Sequence, residues 1–231
     1  MKLKLALFAS AAVLINSSAS AYTFVAENQF YVGAGGGYGG MLTYQPSGYP
    51  QASDSTGTNN YTAARLRDGV AYRIKMGYLW AFGHDQYGGE IGYMGYPKNT
   101  YNIDNISPSL DYKGHTVDLL IVLKHNYNNG GNVFAKAGAA YVTQKLSNPQ
   151  PTNSTYMSIG GQSIFGTSHK ILPEVALGAG YNLSQHIGVD FSVHYVFAGS
   201  SGQDLAIANS ASDANRVASV AAAFLGLYAT F

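Results

Sequence analysis

Segments in which apolar and polar residues alternate constrain this chain more than any other feature. From residue 72 to residue 80 one face holds only apolar and aromatic side chains, whereas the other holds Arg73, Lys75 and Gly77. Eight such segments can be placed, at 29–44, 67–82, 86–97, 112–126, 132–146, 170–183, 187–199 and 217–231. Each reaches the roughly 9 to 11 residues that a tilted strand needs to cross a bilayer.

The connections between these segments alternate in length. Residues 83–85, 127–131 and 184–186 form short turns, whereas 45–66, 98–111, 147–169 and 200–216 form long polar connections. Short turns on the periplasmic side and long loops outside are typical of outer-membrane barrels. The sequence therefore predicts an all-β fold, an eight-stranded antiparallel up-and-down transmembrane β-barrel. Ten strands are the alternative if residues 156–165 form a full hairpin, which we interpret as an extension of the outer loop.

The chain begins like a secreted protein. Lys2 and Lys4 precede an apolar run from Leu5 to Ile15, and small residues follow at 19–21. This run is much shorter than the roughly 20 residues of a membrane-spanning helix. We predict a signal peptide at residues 1–21, followed by a β-barrel domain at residues 22–231 in the outer membrane of a Gram-negative cell.

The strands of soluble β-sandwiches also alternate apolar and polar residues. Alternation alone therefore does not show whether the apolar faces point to lipid or to a protein core. A strand of a soluble protein places many charges on its water face. In this chain only 11% of all residues are charged, and the polar faces of the segments are rich in glycine. Aromatic side chains cluster near the segment ends, as they do at membrane interfaces. Without Lys2 and Lys4 the net charge is about −1, which excludes a nucleic-acid-binding surface. The apolar faces are therefore predicted to contact lipid.

The polar faces carry a balanced set of charges. Because an enclosed unpaired charge is costly, we expect ion pairs in the lumen, in two layers. The expected members are Arg73, Lys75, Lys124 and Lys136 against Glu90, Asp118, Glu174 and Asp190, together with His194. Glu90, Lys124, Lys136 and Asp190 are expected in the lower layer, nearer the periplasmic end, and the other five near mid-depth. These pairs either fill and rigidify a barrel too narrow to conduct or line a gated polar channel beside the glycines of the first segment.

The glycine-rich segment FYVGAGGGYGG at residues 30–40, the eight-segment layout and the ending FLGLYATF resemble the OmpA/OmpX-type family of small outer-membrane barrels. The resemblance implies that Gly226, Ala229 and Phe231 form the signal read by the barrel-assembly machinery. It also implies outer-membrane lipid and lipopolysaccharide as partners. Since the chain stops at Phe231, the peptidoglycan-binding domain of full-length OmpA proteins is not expected.

Few residues suggest chemistry. Ser192 and His194 share a face, with Asp118 or Glu174 at similar depth, but that face is the lumen, whereas an enzyme acting on membrane lipid needs its groups at the lipid surface. The other histidines lack metal spacing, and the glycines follow a strand period rather than a phosphate loop. We therefore expect no enzyme activity and no cofactor, with a lipid-A-modifying enzyme as a distant third function.

The long loops remain as the place for function. Residues 147–168 contain no charged side chain, so contact through aromatic residues is more plausible there than charge steering. The candidates are Tyr49, Tyr61, Tyr101, Tyr156 and Phe165. We expect a membrane scaffold whose long loops either shield the mouth of the barrel or contact a host surface or matrix ligand, and the alternative function is a narrow solute or ion channel.

Overall fold

A computed structural model of the chain describes residues 26–42, 69–103, 106–147, 158–159, 162–163, 166–198, 217 and 219–231. The predicted signal peptide at 1–21 lies outside the described residues. So do four of the loop aromatics, Tyr49, Tyr61, Tyr156 and Phe165.

Eleven strands are described. They are β1 (Gln29–Leu42), β2 (Gly69–Phe82), β3 (Asp85–Gly95), β4 (Asn99–Ile103), β5 (Ile106–Asn126), β6 (Gly131–Ser147), β7 (Ser158–Ile159), β8 (Gln162–Ser163), β9 (Gly166–Asn182), β10 (Ile187–Val196) and β11 (Ser219–Thr230). Among the described residues no helix is long and apolar enough to cross a membrane.

Eight of these strands close into a barrel. Every pairing is antiparallel, and the order is β3-β2-β1-β11-β10-β9-β6-β5, with β3 paired back to β5. The predicted eight-stranded up-and-down barrel is confirmed. The ten-strand alternative is wrong, because the two-residue strands β7 and β8 pair only with each other.

The alternation of side chains has the direction that the sequence predicts. On β2, Ile74 is 54% exposed, whereas the adjacent Arg73 is 3% exposed. Large apolar side chains cover the outer wall of the barrel, which a water-soluble protein would bury. The interior therefore holds the polar faces of the strands.

The two ends of the barrel differ. At one end, which we call the short-turn end, β2–β3, β5–β6 and β9–β10 are joined by tight connections, and Gly83 and Gly130 supply the left-handed backbone at φ 65° and 84°. The other end, the long-loop end, carries the remaining connections.

Two strands are longer than the alternation predicts. β5 begins at Ile106 instead of residue 112, and β9 begins at Gly166 instead of residue 170; β4, in a predicted loop, pairs with β5. Beyond the membrane a backbone ladder needs no lipid-facing apolar residues. The apolar alternation of the membrane-spanning part therefore does not continue in phase into these extensions. β4 and the ends of β5, β6 and β9 that lie beside it form a paired sheet at the long-loop end, which we call the raised wall.

Candidate functional site

The lumen contains three successive layers of side chains. The amide layer lies at the short-turn end and comprises Gln86, Asn126, Asn132, Asn182 and Tyr228. The ionic layer follows and comprises Arg73, Lys75, Glu90, Asp118, Lys124, Lys136, Glu174, Asp190, Ser192 and His194. The apolar layer, towards the long-loop end, comprises Ala71, Met94, Tyr96, Ala140, Val142, Leu172, Val196, Ala198, Val217, Val220, Ala222 and Phe224.

Glu90 is the hub of the ionic layer. Its carboxylate accepts hydrogen bonds from Arg73 Nη2 at 3.0 Å, from Lys136 Nζ at 2.6 and 2.8 Å, and from Tyr31 Oη at 2.6 Å. The Glu90 side chain is 1% exposed. Three donors from three strands therefore satisfy one buried carboxylate, which joins β1, β2, β3 and β6 across the lumen.

Arg73 connects Glu90 to a second carboxylate. Its Nη1 and Nη2 donate to the two oxygens of Asp118 at 2.7 Å each, a bidentate pair. By register Gly92 is opposite Lys75 on β2 and Asp118 on β5, and a Cβ there would come within 2.7 Å of both Arg73 Cζ and Asp118 Oδ1. A glycine at this position therefore makes room for the pair.

Lys75 and Lys124 have different surroundings. Lys75 Nζ pairs with Asp190, whereas Lys124 has no ion pair with any described residue and lies 5.3 Å from the centre of the Tyr228 ring. Both lysines line a cavity of about 30 Å³ beside the amide layer. That volume accommodates about two water molecules, so the Lys124 ammonium has room for solvent.

Glu174, His194 and Ser192 form a hydrogen-bonded chain. Glu174 Oε1 lies 2.7 Å from His194 Nδ1, and His194 Nε2 lies 3.2 Å from Ser192 Oγ. This order of groups is the one that activates a serine nucleophile. However, Ser192 is only 2% exposed and does not line the cavity, so a substrate has no path to its Oγ in this conformation. These three hydrogen-bonded side chains therefore pack within the ionic layer.

The amide layer closes the lumen at the short-turn end. Asn126 Nδ2 donates to Gln86 Oε1 at 3.0 Å, and Gln86 Nε2 donates to the Glu27 carbonyl at 2.8 Å. Tyr228 Oη donates to Asn182 Oδ1 at 2.5 Å. The Gln86 bond ties β3 to the segment that precedes β1, and the other two join strands of the barrel to each other.

The apolar layer closes the other half of the lumen, and charge-based sequence analysis missed it. Met94, Val142 and Val196 are all fully buried. A hydrogen bond of 2.5 Å between Tyr96 and Thr116 lies at the boundary with the ionic layer. A sequence signal was present: Tyr141 and Val142, like Tyr195 and Val196, are adjacent apolar residues, so both faces of those strands are apolar there.

All nine predicted lumen residues lie inside the barrel and are buried. Eight of them join ion pairs or hydrogen bonds with one another, and Lys124 is the exception among the described residues. The two predicted layers need a correction. Arg73 bonds to both Glu90 and Asp118, because its long side chain bridges two depths that residue counting keeps apart.

The three residues of the predicted assembly signal lie on β11 and just after it. By register Gly226 is opposite Asp190 and Gly35, and Ala229 is opposite Ile187 and Val32. Phe231 is 76% exposed, with its ring centre 6.4 Å from that of Phe30. Of the loop aromatics, Tyr101 belongs to β4 opposite Leu110. No group of three or more potential metal ligands occurs in the part of the chain that is described.

Comparisons with known proteins agree with this architecture. A family model described as the OmpA-like transmembrane domain matches residues 25–224. A search of curated protein sequences finds no match. Among solved structures, Neisserial surface protein A (NspA) is similar at 16% identity and a TM-score of 0.53, over 87% of this chain and 97% of that chain.

The outer membrane protein OprG from Pseudomonas aeruginosa is similar at 12% identity and a TM-score of 0.52, over 92% of this chain and 99% of that chain. At these identities the likeness shows the fold alone. The family model extends over most of the chain, and the resemblance inferred from the sequence is thereby confirmed. The chain belongs to the OmpA-like transmembrane domain family of outer-membrane β-barrels.

Proposed function

We propose that this protein is an outer-membrane scaffold that presents its long loops to the surroundings and contacts a host surface or matrix ligand. The observation that carries the proposal is the filled lumen. The amide layer fills the lumen at the short-turn end, the apolar layer fills it towards the long-loop end, and the cavity beside Lys75 and Lys124 has a volume of about 30 Å³. A barrel filled in this way leaves function to its ends rather than to its interior.

The raised wall supports this proposal. β5, β6 and β9 continue as paired strands beyond the segments that face lipid, and β4 adds a further strand. A hydrogen-bonded ladder holds the connected loops on a rigid base, the arrangement in which variable binding loops are usually found. The candidate contact residues are the loop aromatics named above.

Deletion of loops tests this function. Residues 45–66 and residues 148–157 would each be replaced by a short Gly-Ser linker. We expect at least one deletion to abolish adhesion of expressing cells to epithelial or matrix-coated surfaces, while the heat-dependent gel mobility of the folded barrel stays unchanged. A folded double-deletion protein that adheres as well as the intact protein would refute the loop hypothesis.

A narrow ion channel is the second candidate. Two observations favour it: the solvent-sized cavity beside Lys124, and the sharing of Glu90 between Arg73 and Lys136, which allows an exchange of partners. The apolar layer opposes it, because an apolar constriction excludes ions. Conductance in a planar bilayer decides between the functions. Single-channel openings whose conductance increases in Leu172→Ala would show that the protein is a channel and would refute the scaffold function.

Biogenesis completes the proposal. We expect the signal peptide to be removed near Tyr22 and the barrel-assembly machinery to bind Gly226, Ala229 and Phe231. Phe231→Ser should lower the yield of barrel in the outer membrane without changing its fold in detergent.

The lipid-A-modifying alternative predicts a change in the mass of lipid A on expression of the protein, and His194→Ala should remove that change. We expect no change in the mass of lipid A.

A further inference from the structure

A group of basic residues lies on the outer face of the raised wall. Odd-numbered residues of β5, β6 and β9 face outwards at this end, and the register stacks them in rungs. Val117, Tyr141 and Ile171 form an apolar rung. His115, Thr143 and His169 form the next, and Lys113, Lys145 and Thr167 form the one beyond. Within two rungs the outer face changes from apolar to cationic.

The top rung contains an unusual pairing. Lys113 and Lys145 lie directly opposite each other on adjacent antiparallel strands. Side chains in such positions leave Cβ atoms roughly 5 Å apart, and like charges there destabilise the pair. Both lysines are exposed, and neither forms an ion pair with a described residue. An anion between the two ammonium groups would turn this repulsion into binding.

The imidazole rung beneath is preorganised. The His169 ring stacks on Tyr141 at 5.7 Å, with an 8° angle between the planes, and Thr143 Oγ1 lies 3.1 Å from His169 Nδ1. The His115 ring stacks on Tyr93, also at 5.7 Å. Two further nitrogen-bearing rings therefore stand in fixed positions between the lysines and the apolar wall.

The depth of the group matches a lipid headgroup. Lys145 is four residues beyond Tyr141 along β6, which is about 13 Å along the strand. With the usual barrel tilt this is about 10 Å along the membrane normal. Tyr141 is an interface aromatic, so the lysine rung lies at the level of headgroup phosphates rather than in hydrocarbon or in bulk water.

We propose that Lys113 and Lys145, with the Thr167 hydroxyl and the His115 and His169 rings below, bind a phosphate of lipid A in the outer leaflet. The two ammonium groups neutralise the phosphate from both sides, and the acyl chains lie along the apolar rung and the strand faces beneath it. Charge complementarity and the position directly above an acyl-contacting surface favour a phosphorylated glycolipid over a soluble anion. The proposal rests on the orientation proposed above, with the long-loop end outwards.

Native mass spectrometry of the purified barrel in detergent tests the site. Three probes are compared: diphosphorylated lipid A, dephosphorylated lipid A and phosphatidylglycerol. We expect the double variant K113Q/K145Q to bind diphosphorylated lipid A about tenfold more weakly, as expected for the loss of two partly exposed charge contacts. K170Q is the matched control, because Lys170 is an exposed lysine next to His169 on the opposite face of β9.

Equal binding of lipid A by K113Q/K145Q and the unmodified protein would overturn the proposal. So would equal binding of dephosphorylated lipid A, or a phosphatidylglycerol affinity that matches that of lipid A and falls in parallel with it.

A separate measurement isolates the orientation. The chain has no cysteine, so Lys170→Cys gives a single exposed thiol on the face of β9 opposite the proposed site. Labelling of that thiol by a membrane-impermeant maleimide on intact cells establishes that the long-loop end is outside. If the thiol is labelled but K113Q/K145Q binds lipid A as well as the unmodified protein, only the lipid A site is refuted. If the thiol is not labelled, the orientation is refuted, and the scaffold function with it.

Discussion

The two halves of the lumen fill the same narrow space with different chemistry. In the ionic layer the charged side chains other than Lys124 form directed bonds with one another, and Glu90 alone accepts from three donors. In the apolar layer the side chains fill space by packing, and Tyr96 provides the polar contact at its edge. The barrel wall is the same in both halves, so the difference lies entirely in the side chains that point inwards.

This contrast separates two kinds of stability. A buried ion pair contributes little relative to an apolar replacement, but removal of one partner leaves a buried charge and is strongly destabilising. An apolar cluster loses stability in proportion to the volume removed. The ionic layer should therefore respond to charge, with its shape kept, and the apolar layer should respond to volume.

The largest effect should come from the hub of the ionic layer. Glu90→Gln keeps the shape of the side chain but leaves Arg73 and Lys136 short of a carboxylate. We expect the free energy of unfolding to fall by about 3 to 5 kcal/mol, measured by urea titration in lipid vesicles. Glu27→Gln, at an exposed position before β1, is the control and should change stability little. A loss below about 1 kcal/mol at Glu90 would mean that the ionic layer tolerates unpaired charge.

The apolar layer should respond to volume. Leu172→Ala removes a side chain that is 4% exposed, and we expect the free energy of unfolding to fall by about 2 to 4 kcal/mol. Ile171→Ala on the lipid face of the same strand, 71% exposed, serves as the control and should lose less than half as much. Equal losses at the two positions would show that the apolar layer is not tightly packed.

The boundary between the layers should give a smaller effect. Tyr96→Phe removes the hydroxyl that contacts Thr116, which is fully buried. An unsatisfied buried hydroxyl costs about 1 to 2 kcal/mol, and the same urea titration should detect this. Tyr93→Phe, on the lipid face of β3, is the comparison, and a loss of equal size there would show that the boundary bond contributes nothing.

The smallest effect should have the opposite sign. Lys124 is a buried cation without an ion pair among the described residues, so Lys124→Met removes a desolvated charge and leaves no orphaned partner. We expect the free energy of unfolding to rise by about 1 kcal/mol. Lys136→Met is the matched control and should destabilise, because Glu90 loses a donor. Destabilisation by Lys124→Met would indicate that Lys124 binds an ion or ordered water in the cavity.

The sequence predicts the wall of the barrel well, because lipid and lumen impose opposite requirements on successive residues of a strand. The positions of Arg73, Glu90 and Asp118 on inward faces follow from the two-residue alternation of a strand alone. Their partners do not follow, since a long Arg73 side chain reaches carboxylates at more than one depth. Residue counting gives the height of a Cα atom, whereas pairing depends on where the charged end of the side chain lies.

The apolar layer escaped prediction for a different reason. A search of the inward faces for charge finds the ionic layer and passes over Met94 and Leu172. The raised wall escaped because residues 166–170 of β9 carry no apolar face. In β5 the apolar residues stand at even positions in the extension, as at Ile106 and Leu110, and at odd positions from Val117 onwards, so the alternation of the spanning part does not continue in phase. In the candidate lipid A site, Lys113 and Lys145 are 32 residues apart in sequence, and only the register brings them face to face.

The raised wall gives the protein a front and a back in the plane of the membrane. β9 continues through residues 166–172 beyond its last pairing with β10, and β5 and β6 rise beside it, whereas the described part of β11 begins at Ser219 opposite Leu42. On this side of the described barrel, a neighbouring molecule in the membrane plane meets a paired ladder of β5, β6 and β9 that rises past the end of the β9–β10 pairing. The protein therefore offers its neighbours one flank that is stiffened by backbone hydrogen bonds above the lipid surface.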